Sequence, residues 1–370
     1  MKVAINTRFL LPQLEGIGTF THEICKRIVL NNSDIEFHFL FDRPFDKKYL
    51  YSDNIIPHHV LPPARHPYLW KVWFEWAVPR CLSRIEADVF FSPDNFCSLN
   101  TDVPTLMVTH DLAFEHYPDH SIPSHLRYFK KYSRRFHHKA DRIACVSKFT
   151  QQDVIEKYQI EKSKTLVVNN GCDRSFKSLS FKEKSEVKSR ISGGVDFFLY
   201  IGSIHPRKNV ERLIQGFEIF KSQSGSNVKL VLAGRKAWKT EKMQSILNTS
   251  IVKNDIVELG HVESIDEILS TALALCYPSV FEGFGIPILE AFHAGVPVMT
   301  SNVSSMPEVA GNAALLINPF NIEDIAKGLM SIESSAQLRD ELILRGHEQK
   351  KLYSWDKSAD IVMNTLKAIN

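Results

Sequence analysis

The sequence predicts an α/β protein made of two doubly wound domains in tandem. Short apolar runs, each as long as a buried strand, alternate with helical stretches along the chain, and a single polar stretch interrupts this series. Buried runs separated by helices are typical of parallel sheets covered on both faces. The length of 370 residues is enough for two domains that each bury a core.

The first series of strands lies in the N-terminal half. These strands are predicted at 2–5, 36–41, 87–91, 105–109, 142–146 and 165–168. After the first strand, a glycine loop opens a helix that should run to about Leu30. The charge-rich stretch 176–194, which ends in Ser-Gly-Gly, is interpreted as the boundary. The N-terminal domain is therefore predicted to span 1–175.

The second series of strands predicts a C-terminal domain over 176–353. Its strands are expected at 197–201, 229–233, 256–259, 273–277, 296–300 and 314–317. A helix should follow the first of them, and another should cover 288–294, between Pro287 in its first turn and Gly295 as its cap. In such sheets ligands bind beyond the carboxyl ends of the strands, so two facing domains would form a cleft.

Composition and charge exclude several classes of protein. Hydrophobic residues make up 44% and charged residues 24%, and no apolar stretch reaches the length of a membrane span. The first ten residues lack the apolar region of a secretory signal, which predicts a cytoplasmic protein. Forty-five basic residues against 42 acidic ones do not suit a dedicated nucleic-acid binder. The six cysteines are scattered, so buried thiols are expected rather than disulfides or a metal site.

The segment EGFGIPILEAFHAG at 282–295 is the first candidate site. A helix that starts there offers backbone N–H groups and a positive dipole end to an anion, and Gly283 and Gly285 allow a close approach. Glu282 in the loop and Glu290 one turn into the helix could accept hydrogen bonds from sugar or ribose hydroxyls. Taken alone, the pattern also fits turn glycines and a solvated carboxylate.

Three further segments follow predicted strands. Arg207 and Lys208 come directly after the strand FFLYI, where they could bind phosphate oxygens, although such residues are often solvated surface charges. His110 ends the strand VPTLMVT and is either a ligand contact or a packed histidine. Gly16 and Gly18 resemble a dinucleotide loop that lacks its third glycine, which disfavours a nicotinamide-dependent dehydrogenase.

Together these segments resemble the retaining nucleotide-sugar glycosyltransferases of family 4, whose two Rossmann-like domains face each other across a cleft in the GT-B architecture. The resemblance covers nearly the whole chain. Its ordered blocks are GIGTF, VTHDLAFEHYP, ACVSKFTQQDVI with VVNNGCD, GSIHPRKN, PSVFEGFGIPILEAFHAGVPV and SSMPEVAGNAALLINP, followed by YSW. In this family the last helix, here 354–370, crosses back onto the first domain.

The resemblance implies a binding site for the donor diphosphate. Arg207 and Lys208 would contact the phosphates, with backbone groups of Gly283, Phe284 and Gly285 beside them. Lys208 would also be catalytic, because it faces the departing diphosphate.

The remaining candidate residues would contact the sugar, the ribose or the acceptor. Glu290 would bind the ribose of the nucleotide. Glu282 and His110 would contact the donor sugar and take part in catalysis. Gly16 and Gly18 would form a loop that approaches the diphosphate or the acceptor from the opposite domain.

A bound metal ion is not expected. The sequence has no Asp-x-Asp pair of the kind that holds a metal-bound diphosphate. Ser203 stands where some family members place a second cation, so Lys208 would carry more of the charge stabilisation. No cofactor is expected beyond the donor substrate itself.

The implied reaction is transfer of a hexose, with retention, from a GDP- or UDP-linked sugar to a glycan or lipid-linked acceptor. The segment 69–80, LWKVWFEWAVPR, resembles bacterial mannosyltransferases of surface-polysaccharide assembly, which makes GDP-mannose the first candidate donor. The alternatives are a non-catalytic nucleotide-sugar-binding protein of the same fold and a similar enzyme of different reaction, such as an epimerase or a phosphorylase. All the carboxylates and cations are present, which favours catalysis.

The segment 66–80 is unusually rich in large aromatic rings. Leu69, Val72, Trp73 and Trp76 recur at helical spacing, which predicts a core helix. The alternative hypothesis is a face for a lipid-linked acceptor at the inner membrane surface, formed by the exposed rings and by basic residues nearby. Those basic residues are Lys130, Lys131, Arg134 and Arg135.

Overall fold

The fold consists of parallel sheets covered by helices, in a computed structural model that describes residues 1–172, 176, 179–235, 237, 241–262 and 264–370. The chain divides into two compact units, one formed by Met1–Gly171 with Ser354–Asn370 and the other by Cys172–Tyr353. The α/β class is therefore confirmed. The domain boundary expected after residue 175 adjoins residues 173–175, which lie outside the described residues.

The first unit contains a seven-stranded sheet with the order β3-β2-β1-β4-β5-β6-β7. Its strands are β1 Lys2–Asn6, β2 Glu36–Phe41, β3 Ile55–His59, β4 Val89–Ser92, β5 Thr105–Thr109, β6 Arg142–Cys145 and β7 Thr165–Val167. All neighbours pair in parallel, and Val3 of β1 lies opposite Phe37 on one side and Val89 on the other. The strand order reverses between β1 and β4, which creates a crevice at their carboxyl ends.

The second unit contains a six-stranded parallel sheet with the order β10-β9-β8-β11-β12-β13. Its strands are β8 Phe197–Ile201, β9 Lys229–Ala233, β10 Ile256–Gly260, β11 Ala274–Tyr277, β12 Val298–Ser301 and β13 Leu315–Ile317. Here the order reverses between β8 and β11. Every strand expected from the sequence is present, with ends that differ by at most two residues.

Helices connect the strands in both units. Those of the first unit are α1 Gly16–Leu30, α2 Pro67–Val72, α3 Val78–Ile85, α4 Ala113–His116, α5 Pro123–Lys139, α6 Lys148–Tyr158 and, at the end of the chain, α15 Trp355–Ile369. Those of the second unit are α7 Phe181–Ser192, α8 Val210–Ser224, α9 Glu241–Thr249, α10 Asp266–Thr271, α11 Ile286–Ala294, α12 Met306–Ala310, α13 Ile322–Ser334 and α14 Ala336–Gln349. Helix α1 ends at Leu30, as predicted.

The strand β3 was not predicted from the sequence. It lies at the edge of its sheet, reads IIPHH and contains Pro57. A proline cannot donate to a ladder of hydrogen bonds, but an edge strand has one side without a neighbour, so the residue is tolerated there. The strand lacks the apolar run of a central strand because much of it is exposed.

The last helix of the chain, α15, packs on α1 of the first unit. Trp355 lies edge-on to Phe20 at 5.8 Å between ring centroids. A side chain on Gly171 would lie 2.5 Å from the backbone nitrogen of Trp355, so this contact requires glycine. The Ser358 hydroxyl donates to the carbonyl of Asn169 at 2.6 Å.

The aromatic segment 66–80 is only partly a core helix. Trp70, Trp73 and Phe74 are buried, but Trp76 is exposed, so its assignment to the core was wrong. A π-helical turn at Trp73–Ala77 joins α2 to α3. Leu69 and Val72 are only partly buried, so the buried side of the segment is not the predicted stripe, and Trp76 faces outward.

The state of the cysteines and the hydrophobicity of the helices were both considered from the composition. All six cysteines are buried thiols without a disulfide. None of the helices formed by the described residues has both the length and the hydrophobicity needed to cross a bilayer.

Candidate functional site

Two of the predicted segments meet where the strand order of the second sheet reverses. The loop 202–209 follows β8 and the loop 278–285 follows β11, and these neighbouring strands end at the same edge. The backbone N–H of Val280 donates to the carbonyl of Arg207 at 2.9 Å, which joins the loops. Asn209, at φ +61°, donates its side-chain amide to Pro278 and Pro319. The crevice position is where doubly wound folds bind ligands.

Glu282 is the centre of a charged cluster in this crevice. Its carboxylate accepts hydrogen bonds from Arg207 Nη1 at 3.0 Å and from Lys208 Nζ at 2.5 Å. The Tyr277 hydroxyl donates to the same carboxylate at 2.9 Å and lies 2.7 Å from Lys208 Nζ. Arg207 also donates to the carbonyl of Phe281 at 2.8 Å. The structure therefore brings together three residues that the sequence places in two separate motifs.

The cluster keeps Glu282 ionised although the residue is only 6% exposed. Burial raises the pKa of this carboxyl, but the charges of Arg207 and Lys208 outweigh burial and lower the pKa to about 2. Burial and the Glu282 charge raise the pKa of Tyr277 well above its ordinary value, so its hydroxyl stays protonated. At neutral pH this cluster therefore joins the Glu282 carboxylate to the cations of Arg207 and Lys208.

Two serines that the sequence reasoning did not assign support the loop of Glu282. The Ser304 hydroxyl accepts a hydrogen bond from the Glu282 backbone N–H at 3.0 Å. The Ser305 hydroxyl lies 2.9 Å from the carbonyls of both Glu282 and Phe284. These serines belong to the block SSMPEV, which was recognised as a family block but without a role for its hydroxyls.

The helix α11 begins directly after this loop. Gly285 precedes it with φ +107°, a conformation that favours glycine, and no side chain caps the helix. Pro287 lies in the first turn and Gly295 ends the helix, as predicted. Glu290 lies on the second turn and is 8% exposed, so the alternative of a fully solvated carboxylate is wrong. The helix start offers N–H donors to an anion, and Gly283 belongs to the loop that leads to it.

The other candidate residues lie at the carboxyl edge of the sheet in the first unit. The backbone N–H of His110 donates to Asn95 Oδ1 at 2.8 Å, and its ring Nε2 lies 2.9 Å from the carbonyl of Pro93. A carbonyl can only accept, so Nε2 carries the proton and Nδ1 of the neutral ring is an acceptor. Burial lowers the His110 pKa, which favours this neutral form.

The glycines of the first loop differ in their surroundings. A side chain on Gly18 would lie 2.6 Å from the carbonyl of Phe9, so the start of α1 can approach that loop only with glycine. Gly16 opens α1, and nothing lies within 4 Å of the position of an added side chain. Close packing therefore explains Gly18 and not Gly16.

A buried ion pair anchors the same loop. Arg8 Nε lies 2.8 Å from Asp94 Oδ2, and both side chains are buried. The Arg8 guanidinium also lies 4.1 Å from the ring centroid of Phe96, and Asn6 donates to Asp94 at 2.9 Å. The pair joins the loops after β1 and β4, at the point where this sheet reverses. Sequence reasoning missed it, because neither residue belongs to a motif.

The described residues include no group of three or more His, Cys, Asp or Glu side chains arranged to hold a metal ion. The cationic side chains of the crevice are instead Arg207 and Lys208.

The chain matches two family patterns and resembles known proteins over its whole length. The pattern of Glycosyltransferase Family 4 matches residues 14–176, and that of Glycosyl transferases group 1 matches residues 181–349. The O-antigen chain mannosyltransferase B of Escherichia coli is 25% identical over 389 residues, covering 100% of both chains. The O-antigen chain mannosyltransferase RfbU of Salmonella typhimurium is 26% identical over 321 residues, covering 85% of this chain and 83% of RfbU.

Solved structures share the fold. The crystal structure of Anabaena Alr3699/HepE in complex with UDP and glucose superposes with a TM-score of 0.76 at 16% identity, covering 99% of both chains. This likeness confirms the predicted fold of two Rossmann-like domains. The chain therefore belongs to the glycosyltransferases, with an N-terminal domain of Glycosyltransferase Family 4 and a C-terminal domain of the glycosyl transferases group 1.

Proposed function

We propose that this protein is a retaining glycosyltransferase that moves a hexose, with mannose as the first candidate, from a nucleoside-diphosphate sugar to a glycan or lipid-linked acceptor in surface-polysaccharide synthesis. The observation that carries the proposal is the meeting of Arg207, Lys208 and Glu282 in the loops beside the start of α11. A diphosphate requires cations and N–H donors, and a sugar requires hydrogen-bond acceptors. This crevice offers both.

The chemistry is mainly charge stabilisation. The bond between the anomeric carbon and the diphosphate oxygen breaks, and its electron pair leaves with the diphosphate. Arg207 and Lys208 would neutralise the charge that develops, together with backbone N–H groups of Gly283, Phe284 and Gly285. The acceptor hydroxyl oxygen forms the new bond with retention of configuration, and its proton passes to an oxygen of the departing diphosphate. Because side-chain cations and N–H groups do this work, we expect no requirement for a metal ion.

Glu282 would exchange its partners when the donor binds. In the structure its carboxylate is paired with Arg207 and Lys208. A diphosphate would take over these cations, which would release the carboxylate to accept hydrogen bonds from hydroxyls of the donor sugar. Glu290 would accept hydrogen bonds from the ribose. The same carboxylate would therefore pair with the two cations before the donor binds and with the donor sugar afterwards.

Residues of the first unit would contribute to the transfer. The neutral ring of His110, held through Nε2, would present Nδ1 as an acceptor to a hydroxyl of the transferred sugar. The loop with Gly16 and Gly18 would let backbone N–H groups at the start of α1 approach the diphosphate or the acceptor.

The similar proteins support the substrate classes. Two similar bacterial proteins are named O-antigen mannosyltransferases, which supports mannose and a glycan acceptor. The similar Anabaena structure holds UDP and glucose, which supports a nucleoside-diphosphate donor, GDP- or UDP-linked. A lipid-linked acceptor would place the enzyme in the cytoplasm, at the inner face of the cytoplasmic membrane. We expect no nucleic-acid partner.

The test is a screen of the full chain against nucleotide sugars. A donor at 100 times its dissociation constant should add ~2.7 kcal/mol to the free energy of unfolding, which a thermal shift detects. The stabilising donor should then release nucleoside diphosphate when membrane glycolipid or oligosaccharide is added, and EDTA should not abolish this release. Binding without release would indicate a non-catalytic binding protein. Conversion of the donor sugar without release would indicate an epimerase.

A further inference from the structure

The loop after β4 holds His110 at two places. The backbone N–H of His110 donates to Asn95 Oδ1 at 2.8 Å, and its ring Nε2–H donates to the carbonyl of Pro93 at 2.9 Å. The first contact fixes the main chain of His110, and the second fixes its ring. Both partners belong to one short loop, so the direction of the imidazole depends on the shape of that loop.

The side-chain amide of Asn95 is bound at both ends. Its Oδ1 accepts from the His110 N–H, and its Nδ2 donates to the carbonyl of Asp111 at 2.8 Å. A single side chain therefore bridges the two backbone groups that bracket the pair of residues 110 and 111. This bridge requires an acceptor and a donor on the same short side chain, which asparagine provides. An ionised aspartate could only accept, and an alanine could do neither.

A buried carboxylate keeps this loop in shape. Asp94 lies between Pro93 and Asn95 in the sequence and is fully buried. Its two oxygens accept hydrogen bonds from four donors of the same unit. These are Arg8 Nε at 2.8 Å, Asn6 Nδ2 at 2.9 Å, the Phe96 backbone N–H at 3.1 Å and the Ser92 hydroxyl at 3.2 Å. Four donors around one buried carboxylate favour a single orientation, so both neighbours that hold His110 are fixed as well.

Packing alone would not determine which ring nitrogen of His110 carries the proton. Phe20 of α1 lies edge-on to the imidazole, with 5.1 Å between ring centroids and perpendicular planes. Such a contact does not distinguish the two nitrogens, whereas a carbonyl accepts a hydrogen bond only from a protonated one. The bond to Pro93 therefore selects the Nε2–H tautomer and leaves Nδ1 of the neutral ring as an acceptor.

We propose that Asn95 is a positioning residue for His110, because its amide holds the His110 backbone where Nε2–H meets the Pro93 carbonyl and Nδ1 can accept from a sugar hydroxyl. Asn95 acts through His110 and not on the donor. The inference rests on the proposed function, which assigns His110 to the donor sugar, and adds the residue that sets the direction of the ring. A group that meets the reacting sugar must be aligned closely, since small misplacements lower the rate.

The first test is NMR of the full chain with isotope-labelled histidine, without any donor. In the unchanged protein, His110 should show a protonated Nε2 and an unprotonated Nδ1, and loss of the signal in His110→Gln assigns it. Asn95→Ala frees the backbone of His110, so the bond from Nε2 to Pro93 should loosen. The chemical shifts of the two ring nitrogens should then move toward each other, as expected when both tautomers are populated.

The second test is the kinetics of sugar transfer. Asn95→Ala should lower kcat by about tenfold, because the ring is loosened and not removed. The KM for the donor should stay within about twofold, because the cations and N–H groups proposed to bind the diphosphate are unchanged. A merely structural role of Asn95 would lower the fraction of folded protein and would not alter the ring nitrogen shifts of the folded molecules.

The matched control is Asn100→Ala, in the same loop between β4 and β5. The Asn100 amide donates to the carbonyl of Glu75 at 3.1 Å, so its removal also costs one hydrogen bond to a carbonyl. This variant should keep the ring nitrogen shifts and kcat of the unchanged protein, and circular dichroism should show that both variants are folded.

Two results would overturn the proposal. One is an Asn95→Ala variant with unchanged ring nitrogen shifts or unchanged kcat, and the other is an equal change in the Asn100→Ala control. If the unchanged protein transfers no sugar from any nucleotide donor, the proposed function fails instead. The ring nitrogen shifts, measured without a donor, then decide by themselves whether Asn95 positions His110.

Discussion

Replacing Glu282 with Gln should tighten the binding of free nucleoside diphosphate while impairing transfer. In the structure this carboxylate lies 2.5 Å from Lys208 Nζ and 3.0 Å from Arg207 Nη1. A diphosphate must compete with it for both cations. The side-chain amide of the E282Q variant would be neutral, so two partly buried cations would be left for the diphosphate to neutralise.

The structure sets the size of this effect. Burial opposes ionisation, yet the two cations hold the Glu282 pKa at about 2, against an ordinary value of 4.5. That difference corresponds to about 3 kcal/mol in favour of the carboxylate. A diphosphate would have to overcome only part of this preference, because the cations can share partners between Glu282 and the phosphates. We expect a gain near half of it, or about tenfold in the dissociation constant.

Calorimetric titration of E282Q with GDP and UDP measures this gain. The turnover of E282Q should fall ~10²-fold, because the sugar hydroxyls lose a charged acceptor. The matched control is Glu341→Gln, which removes the partner of Arg345 from an exposed pair of the same unit and should change neither quantity. An E282Q variant that binds free diphosphate as weakly as the unchanged protein, or more weakly, would refute the competition between Glu282 and the donor.

Other perturbations test the remaining roles. Lys208→Ala should lower turnover by ~10²-fold or more with the fold intact, since it removes a charge aimed at the leaving diphosphate; unchanged turnover at saturating donor and acceptor would contradict that role. Glu290→Gln should weaken nucleotide binding more than it slows transfer, and wild-type affinity for free nucleoside diphosphate in calorimetry would argue against the ribose contact. Burial lowers the pKa of His137 to about 4, below its ordinary 6.5, so the unfolded chain takes up this proton first. The first unit should therefore be fully stabilised by the neutral ring above pH 6.5 and lose up to about 3 kcal/mol as the pH falls to 4. The melting temperature of the His137→Gln variant should depend less on pH than that of the control variant His59→Gln, whose histidine is exposed. Equal slopes of melting temperature against pH for the two variants would count against this assignment.

The strands were predictable because of where they lie in the sheets. Central parallel strands are covered on both faces, so they read as continuous apolar runs such as FFLYI and KLVLA. The edge strand β3 escaped prediction because it is half exposed and carries Pro57. The ends of α11 were predictable because Pro287 and Gly295 act through their own backbone dihedral angles.

The residues of the candidate site were predictable from the sequence, but the contacts between them were not. Motifs pointed to Arg207, Lys208 and Glu282, but their pairing spans 74 and 75 positions of sequence. The supporting hydroxyls of Ser304 and Ser305, and the ion pair of Arg8 with Asp94, carried no local signal. The exposure of Trp76 was not predictable from hydrophobic spacing, because α2 buries Pro67 and Trp70 rather than Leu69 and Val72.

By itself, the sequence determined the fold class, the strands other than β3, the glycine and proline boundaries and the residues that could bind a diphosphate. Only the tertiary structure decided that Glu282 is paired with both cations and that Trp76 is exposed. The physical reason is that hydrophobic periodicity and turn residues act over a few positions of chain. Contacts across the crevice depend instead on the strand order, which places β11 next to β8 although two strands separate them in sequence.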